Sequence, residues 1–296
     1  MKKDALYYGI LAAFVSFFLM FALFAWYQVK SWLVMKRSAE IRKEANPGQT
    51  TSSVISGLTI IKGVDNLPMV LIPEGNFLMG SAPADGDEDE IPQKPTYLSA
   101  FYIDLYEVTH GEYNQYLKAV NSKSKPVIPV FNDDPALLTK ENLPVNGISW
   151  NDADGYCRWA LERLPTEAEW EKAARGDKGL RWPWGNEFNS KAANLQGEED
   201  GYKYTAPPGK FENGRSPYGL YDMIGNVGEW VNDWYDQAYY LNSPYKDPKG
   251  PESGKYKVYR GGSWNDSGAT ARASKRYQAA PHQTSAVIGF RCARSL

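Results

Sequence analysis

Side chains able to do chemistry are scarce in this chain of 296 residues: two cysteines, Cys157 and Cys292, and two histidines, His110 and His282. A thiolate pair can hold a soft metal ion or oxidise to a disulfide. The segment Arg260-Gly261-Gly262-Ser263-Trp264-Asn265-Asp266 presents a serine after two glycines. As a nucleophile Ser263 would need a histidine or comparable base beside it, and a lone histidine is more often a surface or core residue than a catalytic one. Ser-Trp-Asn-Asp occurs a second time, at Ser149 to Asp152, with different flanks, which reads as coincidence or as a shared turn. The acidic run Asp85-Gly86-Asp87-Glu88-Asp89-Glu90 alternates carboxylates as a calcium loop does. It lacks glycine at its sixth position, however, and has Thr96 where an EF-hand needs glutamate. A solvated loop is the expectation there.

The elements that must position these residues are short. Ten Trp, twenty Tyr, 26 Gly and 19 Pro, with few long aliphatic patterns beyond the N-terminus, point to an α+β domain of short elements joined by ordered loops. Three capping boxes open helices: Thr109-x-x-Glu112, running toward Val120; Ser149-x-x-Asp152, with Tyr156, Trp159 and Ala160 on one face; and Thr166-x-x-Glu169, which follows Pro165 and stops at Gly176. Strands are expected at Met69 to Ile72, Phe77 to Met79, Ala100 to Ile103, Val258 to Arg260 and Ile288 to Arg291. The net charge of −2 argues against a nucleic-acid partner.

The N-terminus reads as a membrane anchor, residues 1–28. Ala5 to Tyr27 contains no charged residue. As a helix it would reach about 34 Å, enough to cross a hydrocarbon core of about 30 Å. Trp26, Tyr27 and Trp32 stand where an interfacial aromatic belt is expected. Gly9, Ala12, Ala13 and Ala22 offer small contacts to neighbouring transmembrane helices. Residues 29–68 are read as a helical stalk that stops at Asn46-Pro47-Gly48, followed by a linker, and residues 69–296 as the globular domain. Lys30, Lys36, Arg37, Arg42 and Lys43 after the span outnumber Lys2 and Lys3 before it, which by the positive-inside rule favours a cytoplasmic C-terminal domain.

Six blocks stand in order along the globular part. They begin with Met69-Val70-Leu71-Ile72-Pro73-x-Gly75-x-Phe77-x-Met79-Gly80-Ser81, then Tyr102-Ile103-x-x-Tyr106-Glu107-Val108-Thr109 and Pro144-Val145-x-Gly147-Ile148-Ser149-Trp150. Next come Arg163-Leu164-Pro165-Thr166-Glu167-Ala168-Glu169-Trp170-Glu171, Gly225-Asn226-Val227-Gly228-Glu229-Trp230, and Arg260 to Ser263 closing at Gly289-Phe290-Arg291-Cys292. Together they resemble the formylglycine-generating enzyme (sulfatase-modifying factor) family from about Met69 to Arg294. The resemblance implies a variant of the C-type-lectin fold and a disulfide between Cys157 and Cys292. That disulfide implies an oxidising compartment, so an exoplasmic, periplasmic domain is expected despite the positive-inside count.

In catalytic members two cysteines hold copper and oxidise a substrate cysteine; by position they fall at Asp266 and Ala271, neither of which offers a soft ligand. No copper and no catalytic residue are therefore expected. The resemblance implies structural calcium at two sites: Asn194, Leu195, Asp200 and Tyr202 for one, Ile224, Gly225, Val227 and Glu229 for the other. The alternative for the second is a turn merely hydrogen-bonded by Asn226 and Glu229. A groove around Ser263, Trp264, Asp266 and Arg272 is a candidate ligand surface. Tyr239, Tyr240, Tyr245 and Tyr256 before it either extend that surface or pack internally. The expected function is a non-catalytic, membrane-anchored binding or scaffold protein, an accessory subunit with protein partners in a membrane complex. The alternative is a maturation or modification enzyme acting by chemistry other than the copper–cysteine site.

Overall fold

The computed structural model describes residues 53–55, 58–123, 125–127, 136–197 and 199–296. Short strands build much of the scaffold: β1 (Ser53–Ile55), β2 (Leu58–Lys62), β3 (Pro68–Ile72), β4 (Gly75–Met79), β5 (Lys94–Leu98) and β6 (Phe101–Asp104). Helices α1 (His110–Ala119), α2 (Ala136–Thr139), α3 (Trp150–Trp159) and α4 (Glu167–Arg175) follow, then β7 (Gly228–Trp234), α5 (Tyr239–Asn242) and β8 (Lys257–Arg260). The chain ends in β9 (Arg276–Ala279), β10 (Ile288–Gly289) and β11 (Ala293–Ser295). The mixture of short helices and strands agrees with an α+β fold. The anchor span from Ala5 to Tyr27 lies outside the described residues, and among those described no helix is long and apolar enough to cross a membrane.

Three sheets form. The five-stranded one runs β1-β2-β3-β6-β11, the four-stranded one β10-β7-β8-β9, and β4 pairs with β5 alone. β1 and β2 occupy residues read from sequence as linker. The sequence Leu58-Thr59-Ile60-Ile61-Lys62 is short and β-branched, and it becomes a strand because Ile60 pairs with Val70 and buries on the sheet. β11, three residues from the C-terminal end of the sheet register, pairs with β6 at Ala293–Ile103, so the last strand closes a sheet begun by the first.

All three capping boxes are present, each with its Ser or Thr accepting the backbone N–H of the third helical residue. α4 ends at Gly176, whose φ of +68° is the left-handed C-cap its sequence predicts. Helices α1 and α3 meet through aromatic rings: Tyr113 lies 6.0 Å from Tyr156, and Tyr156 lies 5.3 Å edge-on to Phe290. Beside this cluster the Cys157–Cys292 disulfide joins α3 to the segment before β11, with both sulfurs buried. A second core, built on Val70, Ile72, Phe101 and Ile103, packs against Trp170 and Ala173 of α4.

Candidate functional site

β8 delivers Arg260, and the chain then turns through Gly261 (φ +91°) and Gly262 (φ +71°). Only glycine adopts both conformations freely, and the space is closed as well. A Cβ on Gly261 would sit 3.0 Å from the Met223 carbonyl, and one on Gly262 would sit 3.2 Å from the Ala271 Cβ and 3.3 Å from the Tyr277 hydroxyl. Beyond the glycines Ser263, 1% exposed, donates its hydroxyl proton to Asp266 Oδ2 at 2.7 Å. The Ser263 N–H donates to the same oxygen at 2.9 Å, and the Asn265 N–H donates to Ser263 Oγ at 3.2 Å. Tyr277 donates its hydroxyl to Asp266 Oδ1 at 3.3 Å and stacks on Tyr259 at 5.0 Å. Burial and the neighbouring Asp266 push the Tyr277 phenol well above its usual range, so it remains a donor.

This is the hydrogen-bond pattern of the other Ser-Trp-Asn-Asp, where Ser149 and Asp152 exchange the same contacts to open α3. The tetrapeptide is therefore a shared turn. In the second copy Asp266 closes a loop rather than a helix, and both of its oxygens are engaged by that job. Trp264 leaves the turn with its N–H on the Asn226 carbonyl (3.0 Å) and its ring 5.0 Å edge-on from Tyr204. Ala271 is fully buried, its carbonyl accepting from Trp182 Nε1 at 3.0 Å. Ser263, Trp264 and Asp266 are thus brought together, with Gly262, Ala271 and Tyr277 packed behind them. Tyr277 had no signal in the sequence beyond being aromatic.

Arg272, read as part of the same groove, also carries an ion pair. Only 7% exposed, it pairs with Glu90 and stands 3.6 Å from Asp87. The acidic run is accordingly not a simple solvated loop. Asp87 remains open to solvent and pairs with Lys275, but Glu90 is fully buried, where it also accepts from the Ser81 hydroxyl at 2.8 Å. Of the two alternatives left for the tyrosines, Tyr240 takes internal packing. Its ring is fully buried and its hydroxyl donates to Glu171 at 3.2 Å, so it packs internally, whereas Tyr245 is 56% exposed.

Behind the turn lies a dry ion network. Arg260, with no exposed surface, donates to Glu167 Oε1 and Glu171 Oε2, each at 2.7 Å, and to the Ala273 carbonyl. Arg276 clasps Glu167 through Nε at 2.8 Å and Nη2 at 3.0 Å, and Arg175 reaches Glu171 Oε1 at 2.9 Å. Burial alone would raise Glu167, but Arg276 and Arg260 hold it below the usual carboxylate range. α4 is thereby buried along its whole length although five of its nine residues are charged.

The metal readings fare differently. Asn194 Oδ1 is buried without a hydrogen-bond partner, while its Nδ2 donates to the Tyr204 carbonyl at 2.7 Å and to Asn226 Oδ1 at 3.2 Å. Asp200 accepts from the N–H groups of Leu195 (3.1 Å) and Tyr202 (2.9 Å), so the four residues of the first set converge. An orphaned amide oxygen beside a carboxylate fits a hard cation. The second set does not fit. Ile224, Gly225 and Val227 lie in the tight turn expected of them, but Glu229 is spent: Arg291 takes its two oxygens, each at 2.7 Å, and Trp170 Nε1 adds a third bond at 2.7 Å. The disulfide engages both cysteines of the chain.

Carboxyl groups raised by burial give the domain a pH dependence. Burial lifts Asp222 to about 6, and burial together with Glu167 lifts Asp233 to about 8. At these two groups the folded state binds more protons than the unfolded one, so the stability they contribute is complete below about pH 4 and declines as pH climbs through 6 and 8. For Asp222 alone the loss is roughly 3 kcal/mol. Thermal midpoints measured in chelator at constant ionic strength should be higher at pH 5 than at pH 8.5. A flat or rising profile would contradict the burial assignment.

Comparison with known proteins follows from this geometry. The model of the sulfatase-modifying factor enzyme 1-like (FGE-sulfatase) domain matches residues 62–296. The chain belongs to this family. The serine/threonine-protein kinase pkn1 of Chlamydia pneumoniae is 35% identical over 246 residues, covering 77% of this chain; the match spans only 38% of that kinase. The formylglycine-generating enzyme of Mus musculus is 33% identical, with 85% of this chain and 79% of the relative covered. The inactive C-alpha-formylglycine-generating enzyme 2 of Mus musculus is also 33% identical, over 77% of this chain and 85% of its own. Among solved structures, PvdO from Pseudomonas aeruginosa superposes with a TM-score of 0.70 at 31% identity, covering 80% of this chain and 98% of that one. The matched residues include β3 to β11, the buried network and the Ser263 turn.

Proposed function

We propose that this family member is a non-catalytic binding or scaffold protein, anchored in a membrane by Ala5 to Tyr27 and acting as an accessory subunit of a membrane complex, with its domain on the exoplasmic, periplasmic side. The observation that carries this reading is the state of Asp266 and Ala271. One carboxylate is engaged by Ser263 and Tyr277, the other side chain is a buried methyl group, and no thiol is free to take a soft metal ion. A site with its hydrogen bonds closed upon itself has little left to offer a reacting substrate. The disulfide supports an oxidising compartment. That one relative is named an inactive enzyme supports the view that the domain persists without the family's chemistry.

In this reading Asn194, Leu195, Asp200 and Tyr202 hold calcium in a structural role, fastening two long loops where Gly225 passes so close to Asn194 that a Cβ would lie 2.1 Å from its carbonyl oxygen. Trp264 and exposed Tyr245 supply aromatic contact area for a protein partner. Purification of the full chain in mild detergent at native expression should bring down a partner in stoichiometric amount. The purified chain, given copper and a cysteine-containing peptide, should consume no oxygen above the buffer rate. A clean monomer removes the subunit reading, and oxygen uptake moves the protein to the alternative of a modification enzyme.

A further inference from the structure

Three carboxylates gather at the seam between the five-stranded sheet and the disulfide, remote in sequence from the loops discussed above. Asp65 comes from the β2–β3 turn, Asp104 ends β6, and Glu162 lies between α3 and α4. Asp104 is fully buried and Glu162 is 7% exposed. Both Glu162 oxygens and Asp104 Oδ1 are buried with no hydrogen-bond partner. The remaining oxygens are fixed from outside: the Cys292 N–H donates to Asp104 Oδ2 at 2.7 Å, and Tyr156 and the Leu67 N–H, each at 3.0 Å, donate to the two oxygens of Asp65. The nearby cations are spoken for, since Arg291 is clasped by Glu229 and Arg294 lies over the Tyr102 ring at 5.4 Å.

Carboxyl groups gathered in a low-dielectric interior need either shared protons or a cation between them. A ligand oxygen of Asp104 and one of Glu162 lie within 4.8 Å of each other. Gly63 leaves room beside them: a Cβ there would fall 2.5 Å from Glu162 Oε1 and 2.6 Å from Asp65 Oδ1, which puts those two oxygens within about 5 Å. Calcium, bound at roughly 2.3–2.6 Å per oxygen, can bridge oxygens up to that far apart. The nearby disulfide sulfurs offer no thiolate, so the donors are all hard oxygens. We propose that Asp65, Asp104 and Glu162 form a buried calcium site, with Gly63 leaving the space for the ion. The ion clamps the seam the disulfide also spans, because the Glu162 N–H donates to the Cys157 carbonyl at 2.7 Å.

The test is calcium bound per chain, counted by equilibrium dialysis of the purified full chain, together with its thermal midpoint in calcium and in chelator. Comparing variants with the parent separates this site from any ion held at Asn194. Glu162→Gln and Gly63→Ala should each bind one ion fewer than the parent. Glu162→Lys, which carries its own cation into the cluster, should also bind one fewer and melt higher than the parent in chelator. An unchanged calcium count in Glu162→Gln and Gly63→Ala overturns the proposal, and would mean that the carboxyls instead share protons. Should Glu162→Lys fail to fold, the counts from the other two variants decide the matter.

Discussion

Arg260→Ala is expected to destabilise the domain by about 3–5 kcal/mol, the range seen when one partner of a buried ion pair is removed. The guanidinium has no exposed surface and bonds Glu167, Glu171 and the Ala273 carbonyl. Its removal strands two carboxylates that water cannot reach. Arg276 would still hold Glu167 and Arg175 would still hold Glu171, which is why the loss stays within that range rather than doubling it. Urea titration followed by tryptophan fluorescence reads the change directly. Glu171→Gln placed in the Arg260→Ala background should recover part of it, because the stranded charge is then gone. A loss below about 1 kcal/mol would show that the network is solvated and the burial misjudged.

The disulfide carries the second large effect. Cys157 and Cys292 stand 135 residues apart in sequence, so the bridge closes nearly half the chain. In the chain-entropy description a loop of that length is worth about 5 kcal/mol through restriction of the unfolded state. Cys157→Ser with Cys292→Ser should lower stability by an amount of that order. Reductant should lower the thermal midpoint of the parent chain and leave that of the double variant unchanged. If fully reduced parent protein, verified by mass, melts where the oxidised protein does, the bridge is decorative.

What could be read from the residues, and what could not, divides along a physical line. Local chemistry was legible: three capping boxes lie where Thr109, Ser149 and Thr166 announce them, and Gly176 ends α4 as expected. The glycines of the Arg260–Ser263 turn and the Cys157–Cys292 pairing were legible through family resemblance. Buried charge was not. Glu90 in an acidic run, and Glu167, Glu171 and Arg175 on a helix, look like solvated faces, because the partner that pulls each inside arrives from elsewhere in the chain. Arg272 shows the same ambiguity, since its guanidinium pairs with Glu90, far back in the sequence. Tyr240 could be read either as contact surface or as internal packing, and only the claim of Arg260 and Glu171 on its hydroxyl decides for the second. β1 and β2 were hidden because strands this short declare themselves only once β3 is beside them.

The position of α4 has a consequence for the order of assembly. Its acids wait for Arg260 and Arg276, the sheet of β1 to β3 and β6 waits for β11, and Cys157 waits for Cys292. Each completing part lies in the last forty or so residues of the chain. During synthesis the first three-quarters of the domain therefore emerge with charged groups and an open sheet edge still unmet, and they cannot settle stepwise. Folding of this domain waits on its last strands, and removal of β11 with Cys292 should act like the loss of the whole.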